Sequence, residues 1–236
     1  PGQAIGAPDH PHRGFETVTY ILEGESQHAD SAGHRGFISA GDVQWMTAGR
    51  GVVHAEMPSE RMQKNGGRMH GFQIWVNLPK KDKFIAPRYQ ELKADKLPTA
   101  TSEDGLARVK VIAGEALGVK AAIETRTPII YQHWSLQPGA RVEQALPADF
   151  NGFVYVFEGE ALVGAGDRVV KDGLMAMLGP GDTLALGAKV RTEFLLLAGV
   201  PLKEPMVRWG PFVMNEFHEL QQAAEDFQAG RMGTIS

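Results

Sequence analysis

Two short polar clusters carry residues that could do chemistry together. His10 and His12 stand one residue apart in DHPHRGFE, residues 9–16. His54 and Glu56 stand one residue apart in GVVHAEM, residues 51–57. Side chains two apart on a strand point to the same face. Brought together on facing strands, the pairs deliver three imidazoles and a carboxylate into one cavity. Such a set suits a first-row transition metal, and open positions beside it suit non-haem iron oxygen chemistry. On a regular strand Glu16 also lies on the face of His10 and His12. Spacing alone leaves one alternative, in which the histidines bond to backbone or line a wet pocket. The chain contains no cysteine, so disulfides and thiolate-held metals are excluded.

The surrounding sequence reads as strands joined by turns. The runs FETVTYIL, RGFISAGDVQWMT, GVVHAEM and HGFQIWVNL are rich in β-branched and aromatic residues. Residues 79–105 are charged and hold three prolines, which predicts a connection with a short helical turn around 91–95. Strands resume with ARVKVIAG, IIYQHWSL, GFVYVFEGEALVG, GLMAMLGPGDTLAL and TEFLLLAG. The stretch 215–230 instead places Phe217, Leu220, Ala224 and Phe227 at helical spacing, with Asn215 as N-cap and Gly230 just past the end. Of the remaining histidines, His28 and His34 fall in a polar turn segment, and His70 opens a strand near the pocket mouth. His133 falls in the second half and His218 in the final helix.

An internal repeat organises these elements. GFETVTYILEGE resembles GFVYVFEGE, and SAGDVQWM resembles GPGDTLAL. Two copies of a strand-rich unit predict two similar β-barrels in tandem. Counted back from the turn glycines Gly24 and Gly159, the positions of His10 and His12 hold Ala145 and Pro147 in the second copy. The position of His54, counted from Gly41 and Gly181, holds Phe194. The second copy keeps the scaffold without the polar cluster, so the site belongs to the first copy only.

Composition bounds the remaining functions. The net charge of −4, with acids and bases interspersed, argues against a nucleic-acid surface. No apolar run approaches the roughly 20 residues of a membrane helix. A soluble protein of the cytoplasm is expected, present in the nucleus as well in a eukaryote.

The stretches HPHRGFETVTYILEGE, DVQWMTAGRGVVHAEMP, GFQIWVNLP and GPFVMN resemble the pirin family of bicupins along essentially the whole chain. The resemblance implies an all-β fold of two tandem cupin, jelly-roll-like barrels with a short C-terminal helix. The expected domains are 1–95, carrying the metal, and 96–236, without ligands and ending in the helix. Only nine residues precede His10, where the family carries several tens, so further residues are expected upstream of Pro1. The implied cofactor is one divalent transition metal, Fe(II) first, with Zn, Cu, Ni, Co or Mn as alternatives. The implied ligands are His10, His12, His54 and Glu56. Glu16 is expected to support a histidine from behind or, as in ordinary cupins, to ligate directly. The implied activity is quercetin 2,3-dioxygenation, in which a flavonol and dioxygen react and the ring opens with loss of carbon monoxide. Glu56 would take the substrate proton. Phe15, Phe37, Trp45, Phe72 and Trp75 are the aromatic residues available to line a slot for such a substrate, although each alone fits ordinary barrel core. The alternative activity is regulatory: an iron-dependent protein that binds a transcription factor or a metabolic enzyme according to its metal state. A third class is a cupin whose metal only stabilises the fold.

Overall fold

The computed structural model describes residues 1–3 and 5–235. The chain divides into two compact units, Pro1–Lys96 with Lys203–Ser236, and Leu97–Leu202. Both are antiparallel β structures, in agreement with the expected pair of cupin barrels.

The first barrel is built from β1 (Ala7–His12), β2 (Phe15–Glu23), β3 (Glu25–Asp30), β4 (Arg35–Ser39), β5 (Val43–Thr47), β6 (Val52–Pro58), β7 (His70–Asn77) and β8 (Arg88–Leu92). A short helix α1 (Glu60–Asn65), capped by Ser59, separates β6 from β7. Two four-stranded sheets result, ordered β1-β6-β3-β4 and β7-β2-β5-β8. Of the segment expected to turn helically at 91–95, Glu91 and Leu92 end β8, which pairs with β5, and a turn follows in which the Lys96 N–H donates to Lys93 O at 2.8 Å.

Register decides which residues face the interior. In the second sheet one set of cross-strand rows reads Trp75-Thr17-Met46-Tyr89 and Gln73-Thr19-Gln44-Glu91. The alternate rows read Val76-Glu16-Thr47-Arg88, Ile74-Val18-Trp45-Gln90 and Phe72-Tyr20-Val43-Leu92. In the first sheet His10, His54 and Asp30 lie side by side, as do Glu56, His28 and Gly36. Directly opposed residues share a face. The Trp75 and Gln73 rows look across the barrel at the histidines, because His12 packs on Phe15 and Trp75 at ring separations of 5.0 and 5.4 Å.

The second unit has the same plan with a different filling. One sheet orders Arg141–Ala145, Thr183–Ala188, Glu160–Val163 and Arg168–Lys171. The other centres on Asn151–Glu158, Thr192–Gly199, Ile129–Leu136 and Ala107–Ala113. Its core is apolar and includes Val109, Trp134, Val156, Leu186, Phe194 and Leu196.

The terminal segment departs from the expected division at 95/96. Residues 203–235 pack on the first barrel rather than completing the second. Helix α2 (Phe217–Gln228) begins one residue later than Asn215 would place it. Glu216 is the N-cap, and the Glu219 carboxylate accepts from the backbone N–H groups of both Glu216 and Asn215. Gly230 follows the helix at φ 71°, as expected. Arg13 explains the attachment. Its Nε donates to Arg50 O at 2.6 Å and its guanidinium pairs with Asp226 of α2 at 2.7 Å. The segment also crosses directly over Gly14. A Cβ there would lie 2.0 Å from Val213 O, and the residue's φ of 86° favours glycine independently.

Candidate metal centre

Strand β1 supplies His10 and His12, and its antiparallel partner β6 supplies His54 directly opposite His10. One ligating nitrogen from each histidine falls in a group whose members all lie within 4.8 Å of one another. Metal–nitrogen bonds of about 2.0–2.1 Å keep ligand atoms within about 4.2 Å, so small side-chain adjustments would close the three on one ion. His10 Nδ1 lies 2.8 Å from Pro8 O. Donation to that carbonyl fixes the tautomer and leaves Nε2 bare for a ligand.

The two inner histidines are the more telling. His12 and His54 are buried, and no side chain hydrogen-bonds their ring nitrogens; the Pro211 backbone is the polar group beside His12. Burial lowers the pKa of His12 to about 3, aided by His54 and His10. Burial likewise lowers His54 to about 3, aided by His10 and His28 against an opposing pull from Asp30. Both rings are therefore neutral at ordinary pH, the form a metal requires.

Glu56 shares the face of His54 but stands outside the histidine group. Thr19 Oγ1 donates to its Oε1 at 3.1 Å, and Gln73 Nε2 donates to its Oε2 at 2.7 Å. The structure thus gathers three of the four expected ligands and holds the carboxylate on hydrogen bonds beside them.

Glu16 is not brought to this face. Gly14, with its positive φ, breaks the alternation between β1 and β2, and Glu16 emerges in the row opposite to Phe15 and Thr17. It is buried there and accepts from Thr47 Oγ1 at 2.6 Å. The expected aromatic slot divides in the same way. Phe15 and Trp75 adjoin His12, and their rings lie 4.3 Å apart. Trp45 and Phe72 lie in the opposite rows of their sheet. Phe37 is paired with Gln27, out of phase with His28, and is half exposed. His70 shares the phase of Phe72 and approaches Glu23.

Other inward residues have no counterpart in the sequence reading. His28 is a buried strand residue rather than part of a turn, and its Nε2 lies 3.0 Å from Glu91. That hydrogen bond, joined by one from Gln44 and opposed by burial, lowers the Glu91 carboxyl to about 2. Asp30 accepts from the backbone of Ala32 and His34 and from the His34 ring. Burial first, then Asp30, Glu56 and Glu91, raise the Tyr89 phenol well above its ordinary value, so it stays protonated. The signal was the alternation Ser26, His28, Asp30 along ESQHAD, all inward and all polar.

Sequence comparison decides the family. Residues 2–76 match the pirin family model, and residues 131–233 match that of the pirin C-terminal cupin domain. The chain belongs to the pirin family. A pirin-like protein of Solanum lycopersicum is 47% identical over 98% of this chain and 78% of its own. Human pirin is 46% identical over 98% and 79%. Among solved structures, one described as quercetin 2,3-dioxygenase from Acinetobacter baumannii superposes with a TM-score of 0.94. It is 38% identical, and the match covers 100% of this chain and 82% of that chain.

Proposed function

We propose that this member of the pirin family is a mononuclear metal dioxygenase acting on a flavonol-like aromatic alcohol, with ferrous iron as its native ion. The observation that carries the reading is the group of three histidines, two of them buried, neutral and bonded to no side chain, beside an aromatic wall. The similarity to the Acinetobacter structure supports the substrate class. His10, His12 and His54 would hold the ion, and Glu56 is positioned to join them or to act as base. When bound, the ion supplies Lewis acidity toward a substrate hydroxyl and one-electron chemistry toward dioxygen.

The chain's own groups do the rest. Glu56 can accept the hydroxyl proton at an Oε atom. Gln73 and Thr19 fix its carboxylate in the cavity by bonding one oxygen each. Buried Phe15 backs Trp75 and keeps water from that side of the histidines, while the 37% exposed Trp75, with Arg208 4.8 Å from its ring, is the aromatic surface within reach of a substrate ring. The overall reaction consumes one dioxygen and releases carbon monoxide and the opened ester.

The test is oxygen uptake with quercetin by protein reconstituted with a single metal. Turnover by the iron form, abolished in a folded His54→Ala variant, is the expected result. Absence of turnover with iron, copper, nickel, cobalt and manganese alike would overturn the assignment.

A further inference from the structure

The second unit holds a cavity of about 810 Å³, within the range of roughly 300–1,000 Å³ usual for small-molecule sites. Three of its wall residues are repeat counterparts of the candidate metal centre. Measured back from Gly24 and Gly159, Ala145 stands where the first copy has His10, Pro147 where it has His12, and Phe150 where it has Phe15. All three line the cavity. Sheet order agrees with the match. Arg141–Ala145 is an edge strand paired with Thr183–Ala188, as β1 is an edge strand paired with β6. The second barrel thus opens a cavity at the point of the repeat where the first places its imidazoles.

We propose that the second barrel is a metal-free binding site for a small, uncharged aromatic molecule bearing hydroxyl groups. Ile123, Ile129, Ile130 and Phe150 supply apolar wall suited to a ring. Gln144 is buried at the cavity, and its amide nitrogen is committed to Glu115 O at 3.1 Å and Ala145 O at 2.8 Å. That commitment leaves the amide oxygen as the acceptor to offer a hydroxyl. Charge excludes the obvious competitors. Glu115 lies 3.7 Å from Lys120, and Glu143 adds a second carboxylate, so the lining is net negative and repels carboxylates and phosphates. The hairpin of Glu115–Ala116 and Val119–Lys120 forms one rim. Its turn holds Leu117 and Gly118 both at positive φ, 46° and 76°, which places an apolar, 38% exposed leucine at the cavity edge.

The experiment uses the full chain without metal and two probes of one shape, 2-naphthol and 2-naphthoate. Binding is followed by fluorescence titration and by methyl NMR of the isoleucines. The expected result is saturable binding of 2-naphthol that shifts the Ile123, Ile129 and Ile130 methyls, with 2-naphthoate at least tenfold weaker. Ala145→Trp and Ala121→Trp, which fill the cavity, should each weaken 2-naphthol at least tenfold, and His54→Ala should leave its affinity unchanged. Unmoved methyls at those three isoleucines in the wild-type protein would overturn the proposal, whether or not the filled variants fold. So would equal affinity for the naphthoate, or binding lost in His54→Ala and kept in the filled variants.

Discussion

The rings of His12 and His54 bury four nitrogens that no side chain satisfies, with only the Pro211 backbone beside His12. An unpaired buried polar atom costs about 1–3 kcal/mol, so these rings are poor fold elements and good ligands. Replacing His54 by Ala should therefore remove the metal while sparing the fold. Elemental analysis after purification should fall from near one equivalent to background, with an unchanged circular dichroism spectrum. Gln73 acts one bond further out. In Gln73→Leu one Glu56 oxygen loses its donor at 2.7 Å. Loss of such a supporting partner typically weakens a metal site about 10–100-fold, and competition against a chromophoric chelator would measure it. An unchanged dissociation constant would show that Glu56 plays no part at the ion. At this scale HPH and HAE were legible because two-residue spacing survives in any strand. Glu16 was misread because a single glycine at φ 86° reset the alternation. Trp45 and Phe72 fall in the opposite phase, in keeping with the ordinary core role each alone fitted; aromatic residues occur in both phases of these strands, and composition does not say which phase faces in.

Among the elements, α2 and the segment before it do unexpected work. Burial alone would raise the Asp226 carboxyl. Hydrogen bonds from Arg13, Arg231 and Gln222 more than offset this and hold it at about 2, below its ordinary 3.8. A carboxylate depressed on folding stabilises the native state above its unfolded pKa and loses that contribution as pH falls. The wild-type protein should thus lose stability between about pH 4 and pH 2 more steeply than Asp226→Asn, as read by urea midpoints across that window. Lys83 makes a second attachment. It is fully buried and donates to Gly14 O, Asn77 Oδ1 and Val213 O at 2.7–2.8 Å. Lys83→Met leaves those acceptors unpaired, and a loss of about 1–3 kcal/mol in chemical denaturation is expected. The helix itself was legible from its apolar spacing. Its placement was not, because nothing local in residues 217–228 names Arg13, more than two hundred positions earlier, as the partner of Asp226.

Taken whole, the two barrels share the strand order of one sheet, differ in the other (four strands against six), and divide the labour of their interiors. The second packs Trp134, Phe194 and Leu196 into a continuous apolar core. The first places histidines, carboxylates and amides where that core would be. Leu196→Ala should accordingly cost about 2–5 kcal/mol in the thermal or chemical unfolding of the second unit, with metal content unaltered. A drop in bound metal would contradict this separation. The duplication was legible from the Glu-Gly-Glu turn that follows β2 and Asn151–Glu158 alike. The Gly-Asp turns are not equivalent: Gly41-Asp42 leads into β5, whereas Gly181-Asp182 leads into Thr183–Ala188, the counterpart of β6, so Phe194 on Thr192–Gly199 is not the counterpart of His54. Residues 203–235 carry no repeat signal, and their contacts group them with the first compact unit although they follow the second in sequence.

The crossing of Val213 over Gly14 also sets an order of events during biosynthesis. Gly14 emerges from the ribosome early, whereas the strand that covers it follows the whole of Leu97–Leu202. At translation rates of about 5–20 residues per second, the intervening stretch takes roughly 5–20 s to make. During that interval the nascent first barrel has its histidine strand but neither Val213 above Gly14 nor Asp226 against Arg13. The second barrel, whose sequence is continuous, can finish folding before the first one does.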